Sequence, residues 1–215
     1  MGHTLKTTTA APASEVFGRY YDSDPAWGGG SGPGSDPYFT IEYRCFLDKF
    51  LRMNDIRSVV DVGCGDWSFS RLLDLRGISY LGLDVVPNIV AKNNRAFGSD
   101  TCKFEVMPES PALVPGADLL VMKDVLQHLP DAEVRSLCRS LIPKFKFALL
   151  TNPFRKHGAA HNVDINLGEF RCLDLTAPPF SLNGVYVLEF GSSVWERIRT
   201  LLVFGNTSQP MLASP

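Results

Sequence analysis

The residues best suited to chemistry stand where short apolar runs end in glycines and acids. Val59-Val60-Asp61-Val62-Gly63-Cys64-Gly65-Asp66 is β-branched at its start and closes on two glycines. Glycines at that point permit a sharp turn and let a ligand come close to the main chain. A dinucleotide site asks for G-x-G-x-x-G, and the third position here is Ser68. Asp61, just ahead of the turn, would repel a pyrophosphate and attract an ammonium. A nicotinamide dehydrogenase is therefore disfavoured. The next run, Leu81-Gly82-Leu83-Asp84, places an acid about 20 residues after the glycines, the spacing at which a carboxylate takes two ribose hydroxyls.

A second group of candidates lies further along. Met122-Lys123-Asp124-Val125-Leu126-Gln127-His128-Leu129 ends an apolar run in polar groups. His128 has an imidazole that titrates near neutral pH, so it could deprotonate an acceptor hydroxyl. Alternatively it packs with a ring nitrogen on a backbone carbonyl. Lys123 and Asp124 stand closer to the strand end and would line the bound ligand. Arg44 could clamp a ligand carboxylate through two hydrogen bonds, or sit on the surface. His157, His161 and Asp164 carry metal-binding groups at irregular spacing, and no metal is expected there.

These residues need a scaffold that brings strand ends together. Strand-like runs cover 57–62, 80–86, 102–107, 118–122 and 145–151, with helical patterns over 68–75, 87–97 and 131–141. Such alternation implies right-handed crossovers and a parallel sheet covered on both faces, a doubly wound α/β fold. Ligands bind such sheets outside the carboxyl ends of the strands. Ahead of them, Asp36-Pro37 supplies helix-start signals, and Tyr43, Phe46, Leu47, Phe50 and Leu51 form an apolar stripe. Residues 152–183 are rich in turn formers, and strand-like runs return over 185–190 and 199–204. The division expected is a flexible arm with a glycine-rich loop over 1–35, one domain over 36–206 and a disordered tail over 207–215. That loop, Gly28 to Ser35, holds five glycines in eight residues and serves either as linker or as a cover for a ligand.

DVGCG after the first strand, LGLD on the second and ADLLVMKDVLQHLP across the fourth resemble the successive motifs of class I S-adenosylmethionine-dependent methyltransferases. The resemblance covers roughly residues 55–150. It implies a Rossmann-like seven-stranded sheet in the order 3-2-1-4-5-7-6, the last strand antiparallel. It implies S-adenosyl-L-methionine as cofactor and S-adenosyl-L-homocysteine as product. Asp61, Gly63 and Gly65 would line the methionine end, and Asp84, with Val85 beside it, the ribose. The family usually ends its third strand in an acid that holds adenine; Pro108 stands there, and Glu109 next to it is the expected substitute. The glycine loop, Thr40…Tyr43-Arg44, His161-Asn162-Val163-Asp164-Ile165 and Arg171-Cys172-Leu173-Asp174-Leu175 resemble a bacterial small-molecule-type subgroup and imply no particular substrate. Asn152-Pro153-Phe154 resembles a motif of amino-methylating enzymes, but that motif belongs after the fourth strand, so this occurrence reads as coincidental.

Composition sets the remaining bounds. The chain has 215 residues, 45% hydrophobic and 20% charged, which suits one soluble globular domain. A net charge of −2 and a pI near 6.1 speak against a nucleic-acid partner. Met1 to Ser14 lacks the apolar core of a signal peptide, and no apolar run approaches a membrane span. Five widely spaced cysteines without a CxxC pair suggest neither disulfides nor zinc, and a reducing cytoplasm. The expected activity is methyl transfer to a small polar acceptor, an oxygen of a sugar or secondary metabolite. N-methylation of an amine or protein side chain, and a non-catalytic cofactor-binding module, are the alternatives.

Overall fold

A computed structural model describes residues 11–23, 30–154, 161–191 and 197–205. Seven strands make one sheet in the order β3-β2-β1-β4-β5-β7-β6. They are β1 Ser58–Val62, β2 Ser79–Asp84, β3 Cys102–Val106, β4 Ala117–Lys123, β5 Phe145–Phe154, β6 Val185–Phe190 and β7 Arg197–Phe204. The pairs among β1 to β5 are parallel, while β7 runs antiparallel to both β5 and β6. This is the order and orientation that the motifs imply.

The central strands are buried on both faces, which explains why they read as unbroken apolar runs. On one face Val60, Val62, Leu120, Met122 and Leu150 pack with Val134, Cys138 and Leu141 of helix α4, Asp131–Leu141. On the other, Val59, Leu119, Val121 and Leu149 meet Tyr43, Leu47 and Leu51 of helix α2, Ile41–Met53. Helix α3, Pro87–Phe97, starts on a proline and covers β2 and β3.

Three local differences from the sequence reading have physical causes. The pattern over 68–75 yields only one turn of 3-10 helix, Ser70–Leu72. Ser68 N–H donates to Asp66 Oδ1 and Ser68 Oγ to the Ser35 carbonyl, so side-chain bonds compete with a helix. Asp36 does not start α2; its carboxylate accepts from Tyr38 N–H, and its carbonyl from Thr40, in a separate turn. Finally, residues 13–23, read as part of a flexible arm, form helix α1, Ala13–Ser23.

Candidate active site

The carboxyl ends of β1, β2 and β4 open on a cavity of about 590 Å³, within the range of ligand pockets. Gly63, Asp84 and Val85 form its floor, Val106 to Glu109 one wall, and Phe17 and Tyr21 of α1 its cover. Gly63 is required by shape. Its φ is +75°, and a Cβ there would stand 2.3 Å from Val125 Cγ2. Gly65, at φ +58°, has Ser31 Oγ 2.3 Å from where its Cβ would lie. The turn is pinned by Gly63 N–H and Cys64 N–H, both donating to the Leu83 carbonyl.

Asp84 is buried, accepts from Val86 N–H at 2.9 Å and Gly65 N–H at 3.1 Å, and also bonds Tyr21. Burial pushes its carboxyl up, and these hydrogen bonds oppose the rise. Asp61 faces away from the cavity floor, toward α2, where Tyr80 Oη–H donates to Asp61 Oδ2 at 2.6 Å. Desolvation holds the Asp61 carboxyl at about 6, against the pull of that hydrogen bond and of Lys123. Lys123 is buried in a salt bridge with Asp124, and its Nζ also donates to the Gly34 carbonyl at 2.8 Å. That pair ties the 30–35 loop to the end of β4. Asp124 sits at φ +59°, strained for a side chain with a Cβ, as residues at functional sites often are.

The far end of the cavity is built on His128, held by the segment 161–175. His128 Nδ1 lies 3.0 Å from the Glu169 carbonyl. A carbonyl can only accept, so Nδ1 carries the proton and the neutral ring has its lone pair on Nε2. Burial lowers the imidazole's pKa below its usual value, opposed by the Glu169 bond and Asp124. Gly168 N–H donates to the His128 carbonyl, and Arg171 N–H to the Gln127 carbonyl. The buried Arg171 guanidinium bonds the Leu129 and Val163 carbonyls and pairs with Asp131. Helix α1 spans both ends: Tyr21 bonds Asp84, Phe17 meets the His128 ring edge-on, and Tyr20 Oη donates to the Gly168 carbonyl.

Of the residues singled out in the sequence, Gly63, Asp84, Val85, Glu109, Asp124 and His128 line this cavity together. Asp61, Gly65 and Lys123 are not among its lining residues: Asp61 accepts from Tyr80, Gly65 N–H donates to Asp84 and Lys123 pairs with Asp124. Arg44 does not join them; its Nη2 donates to the Pro37 carbonyl at 2.9 Å. His161 stacks on Phe154, while Asp164 accepts from Asp131 N–H and Ile165 N–H. His157 lies outside the described residues, among which no metal-binding group of side chains occurs. Sequence reasoning missed Phe17, Tyr20 and Tyr21, although their i, i+3, i+4 spacing was a usable signal. It also missed Arg171, whose partners are some 40 positions away. A hollow of about 680 Å³ beyond α4, against β6 and β7, contains none of the predicted residues.

No protein-family model and no curated protein matches the chain. Solved structures do match in fold. Magnesium protoporphyrin IX methyltransferase from Synechocystis PCC 6803, with SAM bound, superimposes with a TM-score of 0.62 at 17% identity, covering 92% of this chain and all of that one. TehB from Haemophilus influenzae gives 0.56 at 14% identity, covering 80% of this chain and 67% of that one. An O-methyltransferase family protein from Burkholderia thailandensis gives 0.56 at 12% identity, covering 78% of this chain but only 57% of that one. The architecture of this chain is thus that of the class I S-adenosylmethionine-dependent methyltransferases.

Proposed function

We propose that this chain transfers a methyl group from S-adenosylmethionine to a hydroxyl oxygen of a small polar molecule, a sugar or secondary metabolite, and releases S-adenosylhomocysteine. The observation that carries this reading is the joint placement of Asp84, the bare Gly63 turn and His128 on one cavity at the strand ends. The residues fit the cofactor. The Asp84 carboxylate suits a ribose diol, with Val85 beside it. Val106, Met107 and Pro108 offer an apolar slot for adenine, with Glu109 at its rim. Gly63 leaves the main chain open to the methionine end, where Asp124 supplies charge, while Gly65 N–H bonds Asp84, Tyr80 bonds Asp61 and Lys123 pairs with Asp124 away from the cavity's surface. The SAM held by the Synechocystis neighbour supports the same assignment.

When bound, the cofactor supplies an activated methyl on a sulfonium. The chain's own contribution is then alignment and proton removal. His128, neutral and with its lone pair on Nε2, takes the acceptor's hydroxyl proton as the oxygen attacks. Asp124 favours the resulting imidazolium electrostatically. Helix α1, through Phe17 and Tyr21, covers the cavity in which that transfer would take place. The acidic charge balance supports a small-molecule partner over a nucleic acid, and no described helix is long and apolar enough to cross a membrane. The five widely spaced cysteines without a CxxC pair suit a cytoplasmic setting.

The test is label transfer from methyl-labelled S-adenosylmethionine, using the full chain and separate pools of hydroxyl and amine acceptors. Label in the hydroxyl pool, absent with His128→Ala, is the expected result. Label confined to the amines would replace this reading with N-methylation. Cofactor binding without any transfer would replace it with a non-catalytic module.

A further inference from the structure

Two buried amides beside the proposed methyl-transfer site are incompletely bonded. Asn152, 4% exposed at the end of β5, has no protein partner for either Nδ2 or Oδ1 among the described residues. Gln127, 3% exposed in the turn before His128, donates Nε2 to Asp124 Oδ1 at 3.2 Å, and its Oε1 has no partner. The carboxylate can only accept, so this amide cannot be turned round, and Oε1 stays an acceptor. Buried polar groups are nearly always paired, so three such atoms in one corner call for a reason.

They do share one corner. Asp124 N–H donates to the Thr151 carbonyl, which sets Asp124 alongside Asn152. Arg171 N–H donates to the Gln127 carbonyl and Leu173 N–H to the Pro153 carbonyl. Two residues apart, those donors are separated by at most about 7 Å. Asn152 also lies on the α4 face of the sheet, two positions after Leu150, the face toward which the 161–175 segment packs. The neighbouring Asp124 and His128 line the cavity itself.

We propose that Gln127 and Asn152 are specificity residues that hold a neutral, polyhydroxylated acceptor of the sugar class. The inference rests on the methyl-transfer reading above. Its chemistry follows from the bonds on offer: two carbonyl oxygens that need donors and one amide nitrogen that needs an acceptor. A hydroxyl group does both. A carboxylate or phosphate has no proton to give and would face two carbonyls and Asp124. An ammonium cannot accept from Asn152.

The test has two arms. Asn152→Leu replaces the unpaired amide by an apolar group of similar size, so the melting temperature of the acceptor-free protein should rise by about 2–4 °C. A fall would mean that the amide is satisfied by ordered water, and would overturn the proposal. The second arm compares methyl glucoside, glucose 6-phosphate, glucuronate and glucosamine by label transfer. Methyl glucoside should lead by about ten-fold or more in kcat/KM, and Asn152→Leu should lose about that factor while S-adenosylhomocysteine binds as before. A preference for a charged member, no turnover of methyl glucoside by a chain that binds S-adenosylhomocysteine, or an indifferent Asn152→Leu would each overturn it. Failure to bind S-adenosylhomocysteine would instead remove the methyl-transfer reading.

Discussion

The two ends of the cavity are held by different kinds of bond. At the Asp84 end the main chain does most of the work: Gly63 and Cys64 donate to Leu83, and Gly65 and Val86 donate to Asp84. The partners are near neighbours on adjacent parallel strands. At the His128 end the bonds come from a distant segment, through the Glu169 carbonyl and the Arg171 guanidinium, 41 and 42 positions away. Local turn chemistry is cheap to specify and hard to shift. A docked segment must overcome the entropy of ordering a long stretch of chain, and can be re-docked for a different acceptor. Damage at the His128 end should therefore leave the cofactor end working.

The largest effect is expected from His128→Ala. Loss of the base should lower kcat about 10²- to 10⁴-fold, with S-adenosylhomocysteine affinity unchanged in calorimetry. An equal loss of affinity would mean that the two ends are not separate. In the intact protein, kcat should be flat above the ordinary imidazole pKa and fall only below it, because burial lowers the His128 value and only neutral His128 accepts a proton. Asp84→Ala acts on the other end. Removing a charge-assisted acceptor costs about 1.5–3 kcal/mol, so the S-adenosylhomocysteine dissociation constant should rise roughly ten- to a hundred-fold. A change confined to acceptor KM would contradict the ribose assignment.

The smallest effect concerns Asp61. Its carboxyl is raised from 3.8 to about 6, so the fold is favoured by the protonated form. That stability is complete below pH 3.8 and lost as the pH rises through about 6. Asp61→Asn cannot ionise and still offers an oxygen to Tyr80. It should melt about 2–4 °C higher than the parent at pH 8 and match it near pH 4. A variant less stable at pH 8 would show that the Lys123 attraction outweighs desolvation.

The same contrast decides what could be read from the residues. Helix α3 and strand β6 lie where the pattern puts them, because a proline start and an apolar run report on their own backbone. Gly63 and Asp84 were legible because turn geometry and ribose spacing constrain residue type locally. Helix α1 was hidden behind a Thr- and Ala-rich start, and its aromatic stripe makes sense only once Asp84, His128 and Gly168 are beside it. Asn152 was visible in the sequence and set aside. Its burial without a partner depends on how the 161–175 segment folds over β5, and no spacing rule carries that information.

Direct titration decides whether the Asp84–Gly63 cavity holds the cofactor. S-adenosylhomocysteine should be titrated into the full chain by calorimetry, with NADH as the control. Saturable one-to-one binding of S-adenosylhomocysteine, weakened by Asp84→Ala, and no heat from NADH are expected. No heat and no thermal shift with saturating S-adenosylhomocysteine, or binding of NADH in its place, would contradict that assignment.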